Sequence, residues 1–352
     1  MRKIRNLLSI PLVLAISMAG YGEVKAAPAG TPKETNIAIG THSVGGAYYA
    51  SGSGLAKVIS EHSPMKAVVK PHAGPNAWMP QLDNGNLQLG MISAPDAGWA
   101  MKGINGFPIP AKNLRFMMMG NINQTPAIIV RKDSGIKNAK DLKGKPVAAR
   151  FGGNTIIAKL MEAQMAAEGV TWSDVQQVPV GEFTAGLKAL REGRVVATFG
   201  SSPKTPNVVE LHQAIGVKPL PLGGISAAKI KEFPASALKA VQAVIPGGHP
   251  TLAKAGTGFI EEDVILLGYP ITLVGSAQMS DEAAYHVIKA LYENYKELGP
   301  IYNWLKEWTP KSMFTPDPPA PYHSGAVRFW KEKGLWTAEA EQNQQALMAK
   351  IK

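Results

Sequence analysis

The sequence predicts an α/β protein of two lobes, each a sheet flanked by helices, with a cleft between them. Three observations carry that prediction. Short apolar runs alternate with amphipathic ones, the βαβ rhythm of mainly parallel sheets. The rhythm stops at residues 121–126 and then starts again. A long apolar run, Val264–Val274, then offers a path back to the first lobe.

Taken in order, Ile37–Gly40, Ala67–Lys70 and Leu89–Ser93 read as strands, with helices predicted over Tyr48–Ser60, Trp78–Asn84 and Asp96–Lys102. Leu114–Gly120 and Ala127–Val130 are extended runs broken by Asn121–Pro126. The second series begins with a strand at Pro146–Arg150 and a strongly periodic helix at Thr155–Glu168. A strand at Val175–Val180, a helix at Phe183–Glu192, a strand at Val195–Phe199 and a helix at Pro206–Ile215 complete it. In the apolar run 264–274, Tyr269-Pro270 calls for an edge position or a bend. Ser280 is the N-cap of a helix with Asp281 and Glu282 in its first turn, running to about Leu298 and ending at Gly299-Pro300. Helices are expected over Ile301–Trp308, Tyr322–Lys333 and Ala338–Ile351, with the Pro-rich Thr315–Pro321 as an extended spacer.

The chain begins with an export signal. Met1-Arg-Lys-Ile-Arg5 is a basic n-region, Leu7–Ala19 an h-region too short to span a bilayer, and Val24-Lys25-Ala26 a small-x-small cleavage motif. Residues 1–26 are therefore read as a signal peptide cleaved after Ala26, and the protein as periplasmic. The stretch Ala27–Thr35 is expected to be a disordered leader. Removing Arg2, Lys3, Arg5, Lys25 and Glu23 takes the net charge from +11 to +8. That moderate excess suits anionic solutes or general solubility, and no basic run is long enough for a nucleic-acid arm. With no cysteine, disulfides and a lipoprotein anchor are excluded, and a chain of this length is stable without cross-links.

Catalytic signatures are absent. There is no Gly-x-Ser-x-Gly elbow, no Gly-Lys-Ser/Thr phosphate loop and no dinucleotide spacing in the turn Gly40–Gly46. The histidines at 42, 62, 72, 212, 249, 286 and 323 include no i,i+4 pair for zinc. No cofactor or metal is expected. Binding is favoured over catalysis, although residues distant in the chain can still assemble a triad.

In open α/β sheets, ligands sit beyond the carboxyl ends of strands. In the first lobe those ends are Gly40–Gly46, Pro71–Asn76 and Ala94–Asp96. In the second they are Arg150–Thr155 and Gly200–Thr205. Candidate ligand contacts are Thr41, His42, Ser43, Gly46, Tyr49, His72, Gly74, Asn76 and Asp96. From the second lobe come Arg150, Gly152, Gly153, Asn154, Thr155, Ser201 and Ser202. His42 and His72 read equally well as exposed loop histidines, and one of Tyr48 and Tyr49 must pack inward because adjacent helical residues diverge. Trp78 and Trp99 read as core. Arg150, beside two glycines and a helix N-terminus, has the chemistry to grip a carboxylate bidentately.

These segments resemble a known family. Ile-Gly-Thr-x-x-x-Gly-Gly-x-Tyr-Tyr at Ile39–Tyr49, Pro71–Asn76, Leu89–Asp96, Arg131–Ile136, Asp141–Lys145, Leu190–Gly193 and Ser280–Tyr285 occur in the order and spacing of TAXI-family solute-binding subunits of tripartite ATP-independent periplasmic (TRAP) transporters. The resemblance implies a type II-like periplasmic-binding-protein fold, with lobe I from residues 27–123 plus about 270–352 and lobe II from 124–269. It implies lobes hinged at 121–126 and 264–274 that close on an amino acid such as glutamate or another organic acid, and delivery to TRAP membrane subunits by a monomer without catalysis. The family's ligand loops correspond to Thr41–Gly46 with Tyr49, to Gly74–Asn76 and to Gly152–Thr155. His42 stands where the family has Gly, Ala73-Gly74-Pro75-Asn76 replaces a Gly-Gly-Ser-like turn, and the family lacks an Arg at 150. These departures add positive charge or donors and point to a small carboxylate. An exported enzyme acting on an organic acid and a solute sensor are the alternatives from other classes.

Overall fold

The computed structural model describes residues 30–351, so the signal peptide and cleavage site expected from the sequence lie outside the described residues. The elements run β1 (Asn36–Thr41), α1 (Ala47–His62), β2 (Lys66–Pro71), α2 (Pro75–Asp83), β3 (Leu89–Ser93), α3 (Ala94–Lys102) and β4 (Leu114–Thr125). Next come β5 (Ile129–Arg131), β6 (Pro146–Arg150), α4 (Ile156–Ala166), β7 (Gln176–Val180), α5 (Phe183–Arg191), β8 (Ala197–Thr198), α6 (Pro206–Ile215) and β9 (Val217–Pro219). The chain continues through α7 (Ala235–Val244), β10 (His249–Ala253), β11 (Val264–Ser276), α8 (Asp281–Glu293), α9 (Leu298–Ile301), α10 (Pro310–Met313), α11 (Ser324–Glu332) and α12 (Ala338–Ala349).

Two sheets result. The first runs β10-β11-β3-β1-β2 with β4 paired to β11, and the second runs β7-β6-β8-β5-β9. Each is parallel in one trio, β3-β1-β2 or β7-β6-β8, and antiparallel around β11 or β5. Residues 249–253 and all of 264–276 therefore lie in the first sheet, although the sequence reading assigned 249–269 to the second lobe.

The link between the lobes differs from the expected broken run. β4 is continuous through Asn121 and stops only at Thr125, before Pro126. It stays extended because β11 pairs with it from Leu114↔Ser276 to Thr125↔Leu267. Pro270 sits where β11 passes from β10 to β3 and where its register with β4 shifts, so the missing N–H falls at an irregularity of the ladder.

Other differences have local causes. Residues 30–35 are tied down: Gly30 N donates to Glu282 Oε2 at 2.6 Å, and Ser280 N donates to Glu34 Oε1 at 2.8 Å. The helix from Ser280 ends at Glu293, where both the backbone N–H and the side-chain amide of Asn294 turn back onto the Ala290 carbonyl. Gly299-Pro300 falls inside the short α9, and Asn303–Glu307 is a 3₁₀ turn rather than a helix. The strand expected over Val195–Phe199 keeps only Ala197–Thr198. Residues 216–263, left unassigned from sequence, hold β9, α7 and β10.

Trp78 and Trp99 are buried. Trp78 explains two glycines. Gly40 of β1 and Gly90 of β3 are register partners, and a Cβ at either would come within 3.0 Å or 2.3 Å of the Trp78 indole. The indole thus lies flat on the sheet and brings α2, with Gly74 at its N-terminus, close to the strand ends. Gly90→Ala should therefore lower stability by roughly 1–3 kcal/mol through overpacking. Denaturant unfolding measures it; an unchanged midpoint would show that the indole can move aside.

Candidate functional site

The carboxyl ends of β1, β2 and β3 face those of β6, β7 and β8 across a closed seam. Close approach needs residues without side chains on both walls. A Cβ on Gly74 would lie 2.5 Å from the Gly153 carbonyl oxygen, and one on Gly153 would lie 2.5 Å from the Ala73 Cβ. Ser43 Oγ donates to Glu182 Oε2 at 2.6 Å. Asn207 Nδ2 donates to the Val44 carbonyl at 3.2 Å. Thr155 N donates to Asn76 Oδ1 at 2.9 Å, while Thr155 Oγ1 donates to the Asn105 carbonyl at 2.7 Å.

Behind these contacts lies a chamber of about 20 Å³ whose wall includes His42, Tyr48, Asn154, Ser201 and Tyr269 together with apolar Phe183 and Phe199. That is room for about one water. Its polar groups are neutral. Burial lowers the His42 pKa to about 3, so the ring carries no charge at neutral pH. Of the positive charge or donors expected from His42, the ring supplies a hydrogen-bonding group and no charge. The ring stacks on Tyr48 with centroids 4.0 Å apart, and its Nδ1 lies 3.3 Å from Asn154 Nδ2. With Nδ1 accepting from the amide, the proton sits on Nε2. Nε2 and Asn154 Oδ1 are both buried without partners. Reversing the amide and the tautomer exchanges the roles, so the pair always leaves one donor and one acceptor open.

Helix N-termini supply the field. α6 offers none, because it opens with Pro206 and the Asn207 and Val208 N–H groups are taken by the Gly45 and Thr205 carbonyls. The first turns of α1 and α4 follow Gly46 and Thr155 directly, and neither has a side-chain cap bond. Free N–H groups and a positive partial charge there favour an anion without any cationic side chain.

Thr41 is buried at the end of β1, its Oγ1 donating to the His42 carbonyl at 3.3 Å. Tyr48, not Tyr49, faces the chamber. His72 is lowered by burial and by Lys70, and its Nε2 has no partner. Gly152 has open space around it. Ser201 has φ 52° and its carbonyl accepts from Thr125 Oγ1 at 2.6 Å, while Ser202 lies on a separate hinge-side cleft. Arg150 is exposed, has no ion-pair partner among the described residues and is outside the chamber wall. It centres a γ-turn, with φ 74° and a Phe151 N–H to Ala149 carbonyl bond of 3.1 Å. This is the rare, strained form of that turn, and such strain gathers at ligand clamps.

Sequence reasoning missed Glu182, Asn207 and Tyr269. Glu182 was accessible to it, since the end of β7 obeys the same strand-end rule as the ends that were chosen. Among the described residues, one grouping has metal-ligand spacing, the exposed Glu61, His62 and Glu297, which lies at the far end of α1 from the seam.

Asp96 is fully buried below the tyrosines. Ser93 Oγ donates to its Oδ2 at 2.8 Å, and its Oδ1 has no partner. Burial raises its pKa to about 7, with the Ser93 bond opposing. Burial also raises Tyr269 to about 12 and Tyr48 well above its ordinary value.

A family model described as the NMT1-like family matches residues 39–334. The chain belongs to the NMT1-like family. Its fold is that of the periplasmic binding proteins. MatC from Rhodopseudomonas palustris with bound malate superposes with a TM-score of 0.51 at 12% identity, covering 90% of this chain and 99% of that one. The alkanesulfonate-binding protein SsuA from Xanthomonas axonopodis pv. citri, bound to MOPS, gives 0.48 at 16% identity over 92% and 99% of the two chains. An ancestral arginine-binding protein bound to arginine gives 0.46 at 16% identity over 78% and 98%. At 12% identity the likeness to MatC is one of fold.

The Asp96 shift has a measurable sign. Its folded pKa lies above the unfolded value of about 4. Its contribution to stability is thus full below about pH 4 and is lost as pH rises through about 7. Asp96→Asn should therefore gain on the wild type progressively between those pH values. Unfolding curves across that range test it, and a difference independent of pH would show that Asp96 does not titrate there.

Proposed function

We propose that the protein is an extracytoplasmic solute-binding protein that captures a small organic anion, a carboxylate, between its lobes and delivers it to the membrane subunits of a TRAP-type transporter. The observation that carries this reading is the interlobe chamber, where the uncapped N-termini of α1 and α4 meet an open donor and acceptor on His42 and Asn154. The family and the fold support solute binding, and the TAXI-like motifs support the TRAP partner.

The mechanism follows from the geometry. At about 20 Å³ the chamber is too small for an organic acid, so the loops 41–46 and 151–155 must part to admit one. The solute carboxylate would take the free N–H groups of α1 and α4, with His42 Nε2 as a further donor. Closure would then reform the contacts of Ser43 with Glu182 and of Asn76 with Thr155 around it, and the membrane partner would read the closed shape. An amino acid such as glutamate fits the same N-termini, but its ammonium group would need a carboxylate, and the chamber wall has none.

Calorimetric titration of the mature protein with mono- and dicarboxylates, amino acids, aromatic acids and sugar acids tests the reading. A carboxylate should bind, and Asn154→Ala should weaken that ligand by about tenfold, as expected for loss of a buried hydrogen-bonding group. Absence of binding by every carboxylate, or chemical turnover of one, would overturn it in favour of the sensor or the enzyme.

A further inference from the structure

A second cleft opens on the hinge side of Tyr48, with a volume of about 260 Å³. Tyr48 and Ala47 line both spaces, so the first turn of α1 separates them. The two differ in charge. The chamber wall has no ionised side chain, whereas the cleft carries Lys204, Lys254, Lys306 and Glu307. Lys254 is held by Asp263 at 2.7 Å. Lys204 and Lys306 have no ion-pair partner among the described residues. They come from opposite sides of the seam. Lys204 belongs to the loop between β8 and α6 of the second sheet's lobe. Lys306 lies in the turn 303–307, which packs on β4 of the first. Glu307, on the same wall, is close enough to feel both. Its carboxyl is raised by desolvation, with Lys306 and Lys204 pulling it back down.

We propose that this cleft is an anion-binding site distinct from the chamber, in which Lys204 and Lys306 close on one oxyanion from opposite lobes. Two like charges drawn together by closure repel each other, and a carboxylate, sulfonate or phosphate between them turns that repulsion into attraction on both sides. The Ser202 hydroxyl lies on the same wall and offers a neutral donor. Tyr48 and the hinge strand β4 border the cleft, so occupancy bears directly on closure. The oxyanion has two possible sources: a free inorganic ion, or the far acidic group of a solute whose first carboxylate sits in the chamber.

Calorimetry on the full mature chain distinguishes them. Sulfate is titrated at constant ionic strength, and butyrate and glutarate are compared under the same conditions. The variants are Lys204→Gln, Lys306→Gln, the charge-preserving Lys204→Arg and Glu307→Gln. If the ion is free, sulfate binds saturably. Either glutamine variant then weakens it by about tenfold or more, the arginine variant largely retains it, and Glu307→Gln tightens it. If the anion is a solute group, sulfate gives no heat but the preference for glutarate over butyrate collapses in the glutamine variants. Equal sulfate binding and equal selectivity in all variants would overturn the proposal. Lysine-dependent sulfate binding with no carboxylate bound would keep this site and defeat the functional reading above. Glu307→Gln removes no cation, so tightening in that variant cannot come from a folding defect.

Discussion

The antiparallel pairing of β4 with β11 is the constraint on which the rest of the molecule depends. These are the two longest strands, and β11 is buried along its length except at Pro270. Their side chains reach into both lobes. Asn123 Nδ2 donates to the Tyr269 hydroxyl at 2.8 Å beneath Tyr48, and Thr125 Oγ1 fixes the Ser201 loop of the other lobe. Asn121 Oδ1 accepts from Trp308 Nε1 at 2.8 Å, and Gly120 is bare because that indole covers it. A polar residue at a buried strand position costs free energy unless it is satisfied, so these bonds make the spine specific as well as strong. The helix N-termini of both lobes are therefore presented to the same seam.

Desolvation then divides the seam into two environments. Around the chamber, burial removes charge: His42 is held neutral, Asp96 is pushed toward its protonated form and the tyrosines are held un-ionised. The field left there comes from backbone dipoles, which cost nothing to reorganise when a ligand arrives. On the hinge side Lys204, Lys254 and Lys306 stand on the wall of the open cleft. A chamber walled by neutral hydrogen-bonding and apolar groups thus lies beside a cleft that carries lysines, with Tyr48 between them.

Much of this was legible in the sequence. The strand–turn–helix order of the first lobe follows from period and punctuation, and the strand-end rule led to His42, Asn76, Asn154, Thr155 and Ser201, which the fold brings to one seam. What was not legible was set by tertiary contact. Residues 121–125 read as a break on local composition, yet pairing with β11 keeps them extended. Arg150 stands exposed at the centre of a γ-turn, a backbone state that its residue type does not report. Tyr48 and Tyr49 cannot be told apart by type, only by which way α1 faces. The burial of His42, and hence its neutrality, comes from the opposing lobe, which no local pattern reports. Glu182 was within reach of the rule and was overlooked.

If the proposed function holds, solute binding and lobe closure are one event. Small-angle X-ray scattering of the mature protein, with and without a saturating carboxylate found by calorimetry, tests it most directly. The radius of gyration should be larger without solute and fall to the value calculated from the closed structure when solute is added. An unchanged radius of gyration on saturation would contradict it, because the chamber would then have to accept its ligand without the lobes moving.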